Sequence, residues 1–365
     1  MKKRIAKKKK YLLNRAEKML RLRRHSKAKK KAKRIRLIGL SKAQINAMRQ
    51  NEKEQKNIKR IFSSYKHIEA PKCLSMIENP EGTLTFIKDL EKSLDKKEKV
   101  FVVLRHVEKI ASGAIVILLS IMIKFKNSGV LFNGDHPKNK IARQYLSNSG
   151  FFERLYLQDG DAYSIHGKSG IFTHADKVVD SKLSNELIYK VSKLIWGEPY
   201  RCTGVQKVYI ELMQNTNNHA SLHGANEHHW YTTVTYNKEK NKACFSFIDY
   251  GVGIIQSINK NEKGKFWHAL TKIMNLLKPQ DSGDFLRLLL DGSIHKTATG
   301  HYYRGKGLPG IYKAFQDNKI SNLVVITNDA FANCEQNVFK TLTNNFEGTY
   351  IYWELNNNNK KLPLV

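Results

Sequence analysis

The spacing of apolar residues changes along the chain, and these changes mark a series of helices and strands. Between residues 68 and 161, two short apolar runs, "VFVVLRHV" and "GVLFNG", predict buried strands. Three segments with helical spacing surround them: "GTLTFIKDLEKSLDKKEK", "SGAIVILLSIMIKFKNS" and "PKNKIARQYLSNSGFFERLYL". Strands that alternate with helices predict a parallel sheet with covering helices.

From about residue 182 onward the pattern is different. Two amphipathic helices are predicted, "LSNELIYKVSKLIWG" and "TGVQKVYIELMQNTNNHA", followed by a hairpin formed by "YTTVTY" and "ACFSFIDYG". A long helical insertion, "KFWHALTKIMNLL" and "SGDFLRLLLDG", separates this hairpin from a glycine-rich segment and helix. The strands "NLVVITN" and "GTYIYWEL" complete the pattern.

Charge separates the first sixty residues from the rest of the chain. Residues 1–60 hold 25 Lys and Arg against three Glu, so they carry +22 of the net +32. Lys and Arg that neutralise phosphates release counterions, so this density predicts a helical extension that binds a polyanion, RNA or DNA before anionic lipid. A solvated tail is the alternative interpretation.

The apolar content bounds the class of protein. The chain has 365 residues, 41% of them hydrophobic, which is enough for two packed domains. Its longest apolar run, residues 113–123, is shorter than the roughly 20 residues that span a bilayer, so we predict a buried helix and no membrane span. The four cysteines are far apart with no CxxC pair, which favours free thiols in a cytoplasmic protein.

Three separated motifs carry polar groups suited to binding a nucleotide. In "VYIELMQNTNNHA", Glu211 and Asn215 are four residues apart and share one helix face. A carboxylate can activate water, and an amide oxygen can ligate Mg²⁺. "DYGVGI" places Asp249 at a strand end beside two glycines, and "RGKGLPGI" leads into a helix whose N-terminus can hold an anion.

In their order and spacing these motifs resemble the N, G1 and G2 boxes of the GHKL ATPase superfamily, and "FEGTYIYWEL" resembles its last box. The resemblance covers about 170 residues. It implies an α/β sandwich over residues 180–357, with a mixed sheet covered by helices on one face. ATP and Mg²⁺ are the cofactors that it implies.

The resemblance also implies roles for single residues. Glu211 would be the catalytic base, Asn215 the Mg²⁺ ligand and Asp249 the acceptor for the adenine amino group. Residues 255–304 would form a lid over the nucleotide, with Lys306 and His301 near the γ-phosphate. The nucleotide-contacting set would be Asn215, His219, Asp249, Gly251, Gly253, Arg304, Gly305, Lys306, Gly307, Leu308, Gly310 and Thr349.

The middle segment, residues 67–165, resembles a STAS domain, the fold of anti-sigma-factor antagonists. The resemblance rests on Ser112-Gly113 at the start of a helix and on "QYLSNSGFFERL" as the last helix. Such antagonists are phosphorylated on the serine before that glycine, usually after an Asp two residues earlier. Ile110 stands there in this chain, so Ser112 is either a phosphorylation site or a helix N-cap.

Together these patterns predict an α/β protein with a basic helical extension over residues 1–66, a STAS-like domain and a GHKL domain. The expected function is Mg²⁺-dependent ATP binding with hydrolysis that switches a regulatory or nucleic-acid-associated assembly. The alternatives are a serine protein kinase with a fused STAS-like regulatory domain, and a non-hydrolysing, ATP-gated nucleic-acid-binding protein. A protein partner for the STAS-like domain and a homodimer stay open.

A competing metal site is suggested by the histidines between the second helix and the hairpin. His219 and His223 have a spacing found in zinc sites, and His228 and His229 follow closely. No HExxH motif and no nearby cysteine accompany them. Zinc is therefore the weaker alternative to Mg²⁺ held by Asn215.

Overall fold

The computed structural model describes residues 14–15, 17–27, 29–30, 41–149, 151, 165–166, 172–176, 179–219, 230–260, 279–293 and 307–360. The chain divides into two compact units, Met1–Ser64 and Tyr65–Val365. The three-stranded, two-stranded and six-stranded sheets all belong to the second unit. Among the described residues, no helix is long and apolar enough to cross a membrane.

The first unit is helical where it is described. Residues 17–27 are helical with exposed side chains, and helix α1 spans Lys42–Ile61. Ser41 and Gln44 cap α1 reciprocally: the Ser41 N–H donates to Gln44 Oε1 at 2.8 Å, and the Gln44 N–H donates to Ser41 Oγ at 3.3 Å. The predicted helical character of the extension is confirmed for these residues.

The middle of the chain forms a small parallel sheet, as its alternating pattern predicts. Its elements are β1 Lys66–Glu69, β2 Cys73–Leu74, α2 Pro80–Asp95, β3 Val100–Val103, β4 Lys109–Ile110, α3 Ser112–Asn127, β5 Phe132–Gly134 and α4 Lys140–Asn148. Strands β1, β3 and β5 pair in the order β1-β3-β5, with every pair parallel, and β2 pairs with β4.

The C-terminal part forms a six-stranded sheet with helices packed on one face. Its described elements are β6 Ile165–His166, β7 Phe172–Asp176, α5 Ser181–Trp196, α6 Thr203–His219, β8 Trp230–Asn237, β9 Lys242–Asp249, α7 Ile254–Lys260, α8 Ser282–Leu290, α9 Gly307–Gln316, β10 Ser321–Asn333 and β11 Val338–Leu355. The strand order is β10-β11-β9-β8-β7-β6. We expected a mixed sheet, but every pair of its described strands is antiparallel.

Each face of this sheet has its own hydrophobic core. Residues of α5, α6, α8 and α9 pack with Phe245, Phe247 and Trp353 on one face. On the other face α2 and α3 of the middle segment pack with Ile248 and Tyr350. The expected arrangement, with helices on one face only, therefore holds for the C-terminal helices, while the middle segment covers the second face.

Helix α3 lies between the two sheets. Twelve of its sixteen residues are buried, because it contacts β8 and β9 of the large sheet and also β5 of the small one. A helix that is apolar all round must be covered on all sides, which explains the apolar run over residues 113–123. The predicted buried helix is confirmed.

The Ser112-Gly113 pair at the start of α3 packs against the large sheet. The N-cap is Ala111, not Ser112, so the capping interpretation is wrong. The Ser112 side chain is buried, and its Oγ lies 3.4 Å from Ser246 Oγ in β9. A Cβ at position 113 would overlap the Tyr350 hydroxyl, so only glycine allows this approach. Phosphorylation of Ser112 would require α3 to leave the sheet.

Candidate functional site

The predicted adenine-binding residue lies in a row that crosses the large sheet. Asp249, the last residue of β9, is paired with Trp230 on one side and with Thr349 on the other. Thr327 of β10 follows next to Thr349. Directly paired residues in an antiparallel sheet share a face, and Trp230 packs among the C-terminal helices. Asp249 and Thr349 therefore face the side on which α6 lies.

The carboxyl group of Asp249 has an unusual environment. Burial raises its pKa from 3.8 to about 7, although the Thr349 hydroxyl, the Thr349 N–H and the Gly251 N–H donate hydrogen bonds that favour the ionised form. A shift of this size, caused by burial at a strand end, is common at functional sites and less common at structural ones. The described structure thus presents a carboxyl acceptor at the end of β9 next to a threonine.

A pH-dependent stability follows from this pKa. Between about pH 4 and pH 7 folded Asp249 binds a proton that the unfolded chain has released, so its contribution to the free energy of unfolding falls as the pH rises. The Asp249→Asn variant has no charge to bury. The free energy of unfolding of Asp249→Asn, relative to the wild type, should therefore rise by on the order of a few kcal/mol between pH 4 and pH 7. It should stay level above pH 7.

Urea unfolding at a series of pH values measures this difference. Asp89→Asn is a matched control, because the Asp89 side chain is 50% exposed on α2. That control separates the effect of Asp249 from the general effect of an Asp to Asn substitution. If the difference in the free energy of unfolding between Asp249→Asn and the wild type is constant from pH 4 to pH 7, the raised pKa of Asp249 is contradicted.

The loop after Asp249 is held by two residues that sequence reasoning missed. The Asn328 side chain accepts from the Ile255 and Gln256 N–H groups at 3.1 and 3.2 Å and donates to the Val252 carbonyl at 2.9 Å. Thr327 Oγ1 accepts from the Ile254 N–H at 2.8 Å. These contacts satisfy the free N–H groups at the start of α7. The only sequence signal is an asparagine directly after the apolar run "VVIT".

Two glycines of the predicted boxes are required by close approaches. Gly253 has φ of +74°, and a Cβ there would lie 2.6 Å from the Asn328 amide. Gly348 has φ of +139°, and a Cβ there would overlap the Asp249 carbonyl oxygen. Both glycines therefore shape the backbone around Asp249.

Helix α6 carries the predicted Mg²⁺ ligand and base over the same face. The Tyr209 hydroxyl lies 3.0 Å from Thr232 Oγ1 in β8, and the Tyr209 ring packs edge-on against Trp353. Glu211 and Asn215 remain partly exposed on α6. The side chain of His219 lies outside the described residues, although α6 ends at this residue.

The structure brings Asn215 to the glycine-rich helix α9. A Cβ at Gly307, the first residue of α9, would lie 2.9 Å from Asn215 Nδ2. A side chain at position 307 would therefore displace the Asn215 amide. The motifs "DYGVGI" and "RGKGLPGI" are far in sequence from the motif on α6. Both nevertheless adjoin the face of the sheet that α6 covers.

The remaining residues of the glycine-rich segment are only partly described. Leu308 is buried in the helix-side core, and Gly310 lies in α9 with open space where its Cβ would be. No described neighbour therefore requires glycine at position 310. Arg304, Gly305, Lys306 and His301 lie outside the described residues, as do His223, His228 and His229.

One part of the predicted lid belongs to the core. Helix α8 contacts β10, β11 and α9, and Phe285, Leu286 and Leu289 of this helix are buried. A Cβ at Gly283 would overlap the backbone of Lys340 in β11. Residues 282–290 therefore pack against the sheet, and they are the part of the predicted lid that the structure places in the core.

The side chains of the histidines in the zinc alternative lie outside the described residues, whereas Asn215 offers an amide oxygen, a ligand type that Mg²⁺ accepts. In the part of the chain that the structure describes, no group of three His, Cys, Asp or Glu could hold a metal ion. Mg²⁺ usually takes one or two protein oxygens and fills its other positions with water and phosphate. The Asn215 amide oxygen is a ligand of this type, and the nearby N-terminus of α9 would favour the phosphate.

No protein-family model and no curated protein matches this chain.

Proposed function

We propose that residues 180–357 bind ATP with Mg²⁺ in the manner of GHKL domains and hydrolyse it. The observation that carries the proposal is the register of β9 and β11, which sets Asp249 beside Thr349 on the face covered by α6. The approach of Asn215 to Gly307 supports it independently. Two pairs of residues that are far apart in sequence thus adjoin the face covered by α6, which supports a shared nucleotide site.

Each residue has a distinct role in this proposal. Asp249 accepts a hydrogen bond from the adenine amino group, and the Thr349 hydroxyl helps to hold the Asp249 carboxylate in place. Asn215 supplies an amide oxygen to Mg²⁺, which neutralises charge on the phosphates when bound. Glu211, one helical turn before Asn215, orients and deprotonates the attacking water.

Incubation of the protein with γ-labelled ATP and MgCl₂ tests this function and separates it from the alternatives. Hydrolysis releases labelled phosphate and leaves none on protein, which is the expected result. Label retained on the protein would instead favour the serine kinase. Saturable binding with neither product would favour the ATP-gated module.

We also propose that the basic extension binds nucleic acid. The exposed helical residues 17–27 and the capped helix α1 support this, because a helix presents Lys and Arg to phosphates in a fixed array. The extension forms a compact unit of its own, Met1–Ser64, so we expect its removal to leave the fold of Tyr65–Val365 in place.

Deletion of residues 1–60 is expected to remove salt-sensitive binding of duplex DNA or RNA while ATP binding persists. Fluorescence anisotropy with a labelled oligonucleotide over a range of salt concentrations gives the measurement. A full-length control, with Lys7 to Lys10 changed to Gln, should lower the salt slope by about 0.9 for each phosphate of B-DNA that these lysines neutralise in the wild type. Undiminished affinity after the deletion would contradict the proposed role of the extension.

A further inference from the structure

The residue after Asp249 faces the opposite side of the sheet from Asp249 itself. Tyr250 packs in the core formed with the middle segment, whereas Asp249 lies in register with Trp230 of the helix-side core. Successive residues of a strand point to opposite faces of the sheet. At the end of β9, Asp249 therefore lies on the face of the C-terminal helices and Tyr250 on the face that α3 covers. No intervening residue separates the predicted nucleotide contact from the interface with α3.

Helix α3 holds Tyr250 with two polar side chains one helical turn apart. The oxygens of Ser120 and Tyr250 are 2.6 Å apart, and Ser120 Oγ donates its proton to the Ile117 carbonyl at 2.8 Å. Tyr250 is therefore the donor in the bond to Ser120. Lys124 Nζ lies 3.5 Å from the centre of the Tyr250 ring, a cation–π contact.

The surroundings of Lys124 and Tyr250 extend the contact to α2 and β11. Lys124 Nζ is 3.8 Å from Glu91 Oε1 of α2. The Tyr250 ring contacts Tyr231 and Phe346, with centroids at 6.3 and 5.9 Å. Phe346 precedes the Gly348-Thr349 pair by two residues. The contacts of the Tyr250 ring therefore adjoin both Asp249 and Thr349 from the face of the sheet that α3 covers.

We propose that Tyr250 is a positioning residue for the nucleotide site and that docking of α3, through Ser120 and Lys124, controls that site. The proposal rests on the proposed function. Tight packing around Gly348 leaves the backbone of Asp249 and Tyr250 little room to adjust separately. A change in how α3 docks therefore moves the Asp249 carboxyl, and by linkage ATP bound at Asp249 must strengthen the docking of α3.

Three variants test the link. Tyr250→Phe removes the hydroxyl that donates to Ser120, and Lys124→Met removes the charge over the ring while keeping a long apolar side chain. Tyr236→Phe is the matched control, because the Tyr236 hydroxyl contacts Leu194 and Asn241 at the other end of β8. Lys124 is partly exposed, so Lys124→Met offers a second route if Tyr250→Phe folds poorly.

The full-length protein and each variant are titrated with ATP and MgCl₂ well below their melting temperatures. Tyr250→Phe and Lys124→Met should each raise the Kd for ATP by roughly five-fold or more, with no change in Tyr236→Phe. Hydrogen exchange should show that ATP protects amides of α3 in the wild type, and that this protection weakens in both variants. A purely structural role for Tyr250 would lower the melting temperature without changing the ATP-dependent protection.

Two results would overturn the link: an unchanged Kd in both variants, or no effect of ATP on the amides of α3 in the wild type. Either result leaves the proposed function intact as long as the wild type binds ATP. A wild type that does not bind ATP removes the proposed function, and the link with it.

Discussion

Asp249→Asn is expected to weaken ATP binding by about 100-fold or more, because the substitution reverses the polarity of the contact that we propose to recognise the base. The Thr349 hydroxyl and the N–H groups of Thr349 and Gly251 already donate to the Asp249 carboxyl. An asparagine would turn its amide oxygen to these donors. Its NH₂ group would then face the adenine amino group, leaving two donors opposed.

Isothermal titration with ATP and MgCl₂ measures this loss, and Asp89→Asn on α2 serves as the control for a distant change of the same type. The expected gain in stability of Asp249→Asn near neutral pH separates loss of binding from loss of fold. An ATP affinity within a few-fold of the wild type would rule out Asp249 as the residue that contacts the base.

Glu211→Gln is expected to lower the rate of phosphate release by about 10²–10⁴-fold while the Kd for ATP changes little. Gln keeps the size and hydrogen-bonding reach of the side chain but cannot accept a proton from water. Because Glu211 lies on α6 one turn before Asn215, its loss should leave the Mg²⁺ ligand in place.

Phosphate release is measured under saturating ATP, with Glu186→Gln on the exposed side of α5 as the control. Comparable release by the wild type and Glu211→Gln would exclude Glu211 as the base. If the wild type itself releases no phosphate, that result would favour the ATP-gated alternative.

Local patterns were enough to predict the elements around the site. The strand that ends at Asp249, helix α6 with Glu211 and Asn215, and the strand through Thr349 all follow from periodicity and turn residues. The glycines at 253 and 348 could also be anticipated, since both stand where the backbone must pass close to another segment. The strands and the helix depend on residues near one another in sequence, whereas the groups that approach the two glycines, Asn328 and Asp249, lie in distant strands.

The features that could not be predicted depend on long-range packing. Nothing local to Tyr250 or Lys124 indicates that they meet across more than 120 residues of sequence. The same applies to the covering of the second sheet face by α3, and to Thr327 and Asn328 as anchors of α7. The capping interpretation of Ser112 was wrong for the same reason, since its partner Ser246 lies in a distant strand.

The burial of helix α8 shows the limit of transferring a family pattern onto an insertion. The spacing of "SGDFLRLLLDG" correctly predicts a helix, but an amphipathic pattern does not say which surface covers the apolar side. The strands that cover it, β10 and β11, lie later in the chain, at Ser321–Asn333 and Val338–Leu355. Residues 282–290 therefore belong to the core on which the site is built.

Titration of the full-length wild-type protein with ATP in the presence of MgCl₂ tests the central claim most directly. We predict saturable binding at one site per chain. We also predict weaker binding of GTP. Guanine presents a carbonyl oxygen at the position where adenine presents the amino group from which Asp249 would accept a hydrogen bond. An absence of ATP binding at millimolar nucleotide, by a protein shown to be folded, would contradict the proposed function.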